Sequence, residues 1–188
     1  MHDLATLTPL GGATPRSDSI GALTITEITD RALASVSCRR EQDAAFGAAA
    51  ERLFGMAPPL PGAWTATDPW TLIWTGPDQW FAEAPFDSHE DIARIVKQAL
   101  GDTASVTEQT DGWVQFDIQG DTVLDLMERL CPLPTRQMET GAATRSIIEH
   151  MGCFVICREA GRRFSLIAPR SFAGSLHHAL VAAARSIA

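Results

Sequence analysis

From Leu23 the chain alternates apolar and polar residues, Leu23-Thr24-Ile25-Thr26, which is the period of a strand with one buried face; Arg31 to Cys38 reads as a second extended stretch. The period then changes. Phe46, Ala49, Ala50, Leu53 and Phe54 recur at i, i+3, i+4, i+7 and i+8, placing them on one face of a helix over residues 41–54 that Gly55 and Pro58-Pro59 stop. Between Pro58 and Pro85, Trp64, Trp70, Trp74 and Trp80 surround a Thr75-Gly76-Pro77-Asp78 turn signal, which predicts a hairpin. A helix follows from Ser88 as N-cap, with Asp91 at the reciprocal capping position. Its apolar face is Ile92, Ile95, Val96, Ala99 and Leu100, and Gly101 ends it.

Residues 104–109 and 113–119 read as two strands joined across Asp111-Gly112, with Val114, Phe116 and Ile118 pointing one way. Asp121 caps a helix whose Val123, Leu126, Met127 and Leu130 face inward. Cys131-Pro132 terminates it, because proline excludes the helical conformation from the residue before it. After a loop over 131–144 come strands near 145–150 and 153–158 and an alternating run with Phe164, Leu166 and Ala168. A final helix presents Phe172, Leu176, Leu180, Ala183 and Ile187 inward, with Ser171 as N-cap. Residues 1–20, rich in Gly, Pro, Ser and Thr, read as a flexible arm. The order strand, helix, two strands, helix therefore occurs twice, over about 31–100 and 113–187. This predicts an α+β fold: two split β-α-β halves with antiparallel sheets covered by helices, in a single compact unit over residues 21–188.

Charge narrows the classes of partner. Fifteen Lys and Arg against 23 Asp and Glu leave −8, which argues against a polyanion such as nucleic acid. No stretch approaches the roughly 18 consecutive apolar residues of a membrane span, and the first ten residues lack the pattern of a secretory signal, so the expected address is the cytoplasm. Cys38, Cys131, Cys153 and Cys157 show no metal or disulfide spacing and read as reduced, mostly buried thiols. Cys153 and Cys157 would share a strand face but lie ~13 Å apart, too far for one ion. Tyrosine is absent, no Gly-x-Ser-x-Gly elbow occurs, and His177-His178 are about 100° apart on a helix and read as an exposed face. Glycine-rich phosphate loops are missing. The tryptophans suit core or interface packing more readily than the alternative, stacking a flat ligand such as a pterin.

The stretch Trp74-Thr75-Gly76-Pro77-Asp78-Gln79-Trp80 resembles the strand-turn-strand signature of the sarcosine oxidase gamma subunit family. Further stretches agree with that family in order: Asp111-Gly112-Trp113 with Gly120 after the strand, Leu130-Cys131-Pro132-Leu133, Gly141 with Thr144-Arg145, and Pro169-Arg170-Ser171-Phe172-Ala173. The resemblance covers about residues 20–187. Gln79 stands where a Glu is common, and Pro134 where the family often has Asp. The resemblance implies structural or interface roles for Gly76, Pro77, Asp78, Trp80, Gly120, Arg170, Ser171 and Phe172. It carries over no catalytic, cofactor-binding or metal residue.

By the same resemblance the fold is like the folate-binding domain of glycine-cleavage aminomethyltransferases. The implied function is that of a small subunit without an active site in a cytoplasmic heterotetramer. That assembly oxidises sarcosine with oxygen to glycine, hydrogen peroxide and formaldehyde or methylene-tetrahydrofolate. Its partners would be alpha, beta and delta subunits, with FAD, FMN and NAD on alpha and beta, tetrahydrofolate on alpha and zinc on delta. The alternative is a stand-alone folate-binding or aminomethyl-transfer protein. Within the signature, the alternation Trp80, Ala82, Ala84 predicts that Trp80 packs under a helix, with partner contact as its other possible role.

Overall fold

The computed structural model describes residues 6–188. In chain order the elements are β1 (Ser17–Ile20), β2 (Leu23–Ile28), β3 (Arg31–Cys38), α1 (Asp43–Phe54), β4 (Trp64–Thr67), β5 (Trp70–Gly76), β6 (Gln79–Pro85), α2 (Phe86–His89), α3 (Ile92–Leu100), β7 (Ala104–Glu108), β8 (Trp113–Gly120), α4 (Val123–Leu130), β9 (Ala143–Ile148), β10 (Met151–Glu159), β11 (Arg163–Pro169) and α5 (Ala173–Arg185). They fall into two compact units. The middle unit is Asp30–Thr110; the terminal unit joins the stretch through Thr29 to Asp111–Ala188.

The middle unit is a five-stranded antiparallel sheet in the order β4-β5-β6-β3-β7. Alternation turns Ala32, Ala34 and Val36 of β3, Ala82 and Ala84 of β6 and Trp70 and Leu72 of β5 to one face. There they meet Phe46, Ala49, Ala50 and Phe54 of α1 and Ile92, Val96 and Leu100 of α3. Small residues on the sheet leave room for large rings from the helix. Gly55 closes α1 in the left-handed region at φ 69°, its N–H returning to the Glu51 carbonyl. The helix expected from Ser88 starts later: α2 ends at His89 and α3 begins at Ile92. Chain leaving β6 makes one separate turn first, with the Phe86 N–H bonded to the Asp30 carbonyl (2.9 Å). Ser88 Oγ donates to the Pro85 carbonyl (3.4 Å) rather than capping α3, and Asp91 stands at the N-cap without a capping bond, its carboxylate accepting from Arg94 instead (2.9 Å).

The terminal unit is a six-stranded antiparallel sheet in the order β1-β2-β8-β11-β10-β9. Leu23 and Ile25, Val114, Phe116 and Ile118, Phe164, Leu166 and Ala168, and Cys153, Val155 and Cys157 face the apolar sides of α4 and α5. Within the stretch read as an arm, residues 17–20 are strand β1 paired to β2. Residues 1–5 of that arm lie outside the described residues. Asp111-Gly112 is not a hairpin turn. It lies in a 3-10 turn between β7, which pairs with β3, and β8, which pairs with β2 and β11 of the other sheet. Asp121 is not the cap of α4 either; Thr122 holds that position and Asp121 pairs with Arg162.

The final helix also begins late, by one residue, with Phe172 in place of Ser171 at its N-cap. Arg170–Phe172 is a 3-10 turn, Ser171 makes no capping bond, and Phe172 turns outward at 42% exposure instead of inward. The rest of the predicted inner face holds, with Leu176 and Leu180 buried and Ala183 and Ile187 packed partly against them.

Both units repeat one topology, and the class is α+β. In the middle unit β3 and β5 run the same way with β6 between them, linked through α1; in the terminal unit β8 and β10 flank β11, linked through α4. Each half has three strands after its first helix where two were expected.

Candidate functional site

The Trp-rich hairpin is built around a turn from Gly76 to Gln79, where Asp78 adopts φ 55° and its carbonyl accepts the Cys38 N–H (2.9 Å). That bond ties the turn to the end of β3. Trp80 lies within the middle unit: its ring stacks on Phe46 of α1 (5.2 Å between centroids, 24° between planes), and Nε1 donates to the Pro59 carbonyl (3.0 Å). It is half-buried on the side that carries the buried Ala82 and Ala84. Trp70 is buried, with Phe54 and His89 edge-on to it at 5.2 and 4.7 Å. These rings serve the folding of the middle unit.

Gly120 ends β8 opposite Leu23 of β2. Its φ is 140°, and a Cβ there would stand 1.9 Å from the Ala22 carbonyl oxygen, so only glycine lets these strands approach. Gly120 also lines an open groove of about 570 Å³ with Ala22, Thr24, Gln119, Glu159, Arg162 and Arg163. Both guanidiniums in it are engaged, Arg162 by Asp121 and Arg163 by Asp117. Asp117, 7% exposed, also accepts the Ser165 hydroxyl (2.5 Å), and Arg158 Nε donates to that same hydroxyl (2.8 Å). The groove is rimmed by ion pairs closed within the chain.

Carboxylates that the sequence reading passed over organise the rest of the terminal unit. Glu27 follows Leu23 and Ile25 on the core side of β2 and is 2% exposed; its two oxygens accept the N–H groups of Leu10 (2.9 Å) and Arg16 (3.0 Å). The alternation Leu23, Ile25, Glu27 was the available signal, since a carboxylate in a buried register needs donors. His177, expected on an exposed helix face, is largely buried and hydrogen-bonded through Nε2 to Asp18 Oδ2 (2.7 Å). Arg16 forks onto the same carboxylate, and its hydrogen bond chiefly, with help from His177, holds Asp18 down to about 2. His178, by contrast, is exposed.

The thiols are poor nucleophiles. Burial pushes Cys153 up to about 12, with neighbouring Cys131 adding to the effect, and burial also raises Cys131 and Cys157. Cys38 is raised as well, by partial burial and then by Asp43 and Asp78. Among the described residues, no three His, Cys, Asp or Glu side chains cluster as metal ligands, and no helix is long and apolar enough to cross a membrane.

At the far end of the unit, Arg170 Nη2 donates to the Leu7 carbonyl (2.9 Å) and Nη1 reaches Asp111 (3.5 Å). Ser171 and Phe172 beside it are exposed. Of the eight signature residues, Gly76, Pro77, Asp78 and Trp80 belong to the hairpin of the middle unit, and in the terminal unit Gly120 belongs to the close approach of β8 and β2 and Arg170, Ser171 and Phe172 to the start of α5.

Comparison with known proteins bears on the whole chain. It is similar in structure to the heterotetrameric sarcosine oxidase from Corynebacterium sp. U-96 in complex with pyrrole 2-carboxylate, at 16% identity over 90% of this chain and 87% of that one, with a TM-score of 0.77. It is also similar to the glycine cleavage system aminomethyltransferase T from Bartonella henselae, at 15% identity over 88% of this chain but 50% of that one, with a TM-score of 0.60. At these identities the likeness is one of fold. No curated protein matches. The family model described as "Sarcosine oxidase, gamma subunit family" matches residues 39–185, running through both units, and the chain belongs to that family.

Proposed function

We propose that this chain is the gamma subunit of a cytoplasmic heterotetrameric sarcosine oxidase and works there by packing rather than by catalysis. The assembly oxidises sarcosine with oxygen to glycine, hydrogen peroxide and formaldehyde or methylene-tetrahydrofolate, within sarcosine catabolism and one-carbon metabolism. Alpha, beta and delta subunits are its partners; FAD, FMN, NAD, tetrahydrofolate and zinc belong to them. The observation that carries this reading is the family match running through both units. A packing role also suits the local chemistry, in which Arg162, Arg163, Asp117, Asp18 and His177 are taken up by pairs inside the chain and burial raises all four thiols.

Co-expression with alpha and beta subunits tests the reading. The chain should co-purify through moderate salt, as an interface of standard size near ~1,600 Å² does. Purified alone it should be colourless and yield no peroxide from sarcosine, since redox chemistry of this kind resides in a cofactor. Failure to co-purify overturns the reading. Tetrahydrofolate bound by the isolated chain in calorimetry would favour a folate-binding or aminomethyl-transfer protein instead.

A further inference from the structure

Ahead of β1, residues 7–16 contain no helix or strand, yet they are folded and fastened. Thr8 to Gly12 close a small turn: the Thr8 N–H donates to the Gly12 carbonyl (2.9 Å), the Gly11 N–H to the Thr8 carbonyl (2.8 Å) and the Gly12 N–H to Thr8 Oγ1 (3.2 Å). Two side chains of the terminal unit hold the segment down. Arg170, in the turn that leads into α5, donates to the Leu7 carbonyl (2.9 Å). Glu27 of β2 takes the Leu10 N–H on one carboxylate oxygen (2.9 Å) and the Arg16 N–H on the other (3.0 Å), and its own N–H returns to the Arg16 carbonyl (2.8 Å). Leu10 is partly buried against the terminal core, whereas residues 13–15 are exposed.

Glu27 cannot be satisfied piecemeal. A carboxylate that is 2% exposed needs donors, and the two that meet its oxygens both belong to this one segment. Releasing Leu10 alone leaves a buried anionic oxygen without its donor, which is the costly state. Releasing both lets water reach the carboxylate in their place. The closed and fully open arrangements are therefore favoured over any half-open one. The ladder beneath is built differently: β2 pairs with β8 from Leu23 to Ile28 through backbone bonds that do not involve the Glu27 side chain.

We propose that residues 7–16 form a strap that opens and closes as one unit, with the Glu27 carboxylate as its catch, while β2 and β8 stay paired beneath it. Opening withdraws Leu10 from the terminal core and hydrates Glu27. The bonds at Leu10 and Arg16 break together, and Arg170 supplies a second, more exposed fastening at Leu7.

Native-state hydrogen exchange of the full chain tests this. In wild type the Leu10 and Arg16 amides should share one protection factor, lower than that of the β2–β8 ladder, with little dependence on denaturant because the opening exposes little surface. Glu27→Gln sets an NH₂ group against one of the two strap amides and should lower the protection of both by about tenfold or more, equally, with the ladder unchanged. Arg170→Ala frees the Leu7 carbonyl and should lower both by roughly threefold. Unequal changes at Leu10 and Arg16, or ladder amides that accelerate with them, would overturn the proposal. Should Glu27→Gln fail to fold, wild type alone decides: protection factors that differ between Leu10 and Arg16, or that equal those of the ladder, exclude a separate strap.

Discussion

The two units reach one strand order from different chain segments and different side chains. In the middle unit the order β4-β5-β6-β3 is completed by β7, which follows in sequence; in the terminal unit β9-β10-β11-β8 is completed by β2, which comes from the other end of the chain. The middle unit fills its core with alanines from the sheet and with Phe46, Phe54 and Trp70. The terminal unit uses Leu, Ile, Phe and Met with three buried thiols, and adds the buried Asp117–Ser165 pair and the Glu27 carboxylate. Topology thus follows from alternation and helix placement, which both halves share. Which residues fill the space between is decided separately in each, under the single condition that volumes close without voids.

The largest separation between the units should come from glycine. Gly120→Ala places a Cβ against backbone that cannot step aside, at a φ that alanine resists, and should cost ~4 kcal/mol or prevent folding of the terminal unit. Gly47→Ala in α1 is the opposite case: the site is helical and a Cβ there meets nothing within 4 Å, so the change should stabilise by ~0.5 to 1 kcal/mol. Thermal unfolding of both variants checks the contrast, and equal melting temperatures would sink it. Next in size is Trp80→Ala, which removes the stack on Phe46 and the bond to Pro59 and should cost ~3 kcal/mol. Trp80→Phe keeps the ring and loses the bond, at ~1 kcal/mol. An unchanged melting temperature for Trp80→Ala would show that the packing inside the middle unit is not what retains the indole.

How much of this was legible in the sequence follows from the range of the forces involved. Helix α1 with its Gly55 stop, the inward sides of β2, β8 and β11 and the Trp hairpin are set by residues close in the chain, and periodicity finds them. The α+β class and the doubled order of elements came from the same source. The Asp111-Gly112 turn was misread because a turn signal reports a change of direction and says nothing about which sheet receives the next strand. Ser88, Asp121 and Ser171 were misplaced as caps because each helix is preceded by an extra turn or shifted by a residue, and propensity fixes a helix start only to within a few residues. The pairing of Asp18 with His177 joins residues at opposite ends of the chain, and no local pattern carries that information.

The buried carboxylate of the terminal unit sharpens the comparison at intermediate cost. Asp117→Ala leaves the Ser165 hydroxyl and the Arg163 guanidinium without their acceptor. Fully buried pairs broken on one side cost ~3 to 5 kcal/mol, but Arg163 remains half exposed and recovers water, so ~2 kcal/mol is expected here. Denaturant unfolding of Asp117→Ala beside Asp117→Asn measures it. The amide keeps an acceptor for Ser165 and should recover part of the loss; if the two variants unfold alike, the hydroxyl bond contributes nothing.

The smallest effect expected is one of pH, at the contact between β1 and α5. Asp18 is held near 2 in the folded chain against 3.8 ordinarily, first by the Arg16 hydrogen bond and also by His177. A carboxyl depressed in this way contributes stability while ionised. Between about pH 4 and pH 2 the unfolded chain binds the proton that the folded chain refuses, so stability falls as pH falls through that window. Arg16 lies out in solvent and screening weakens its share, which limits the expected difference to a few degrees in melting temperature. Asp18→Asn should therefore melt slightly below wild type at pH 6, and the two curves should converge as pH approaches 2. A gap that persists at pH 2 would assign the effect to the shape of the β1–α5 contact instead of its charge, and a gap absent at pH 6 would mean that β1 is held without the pair.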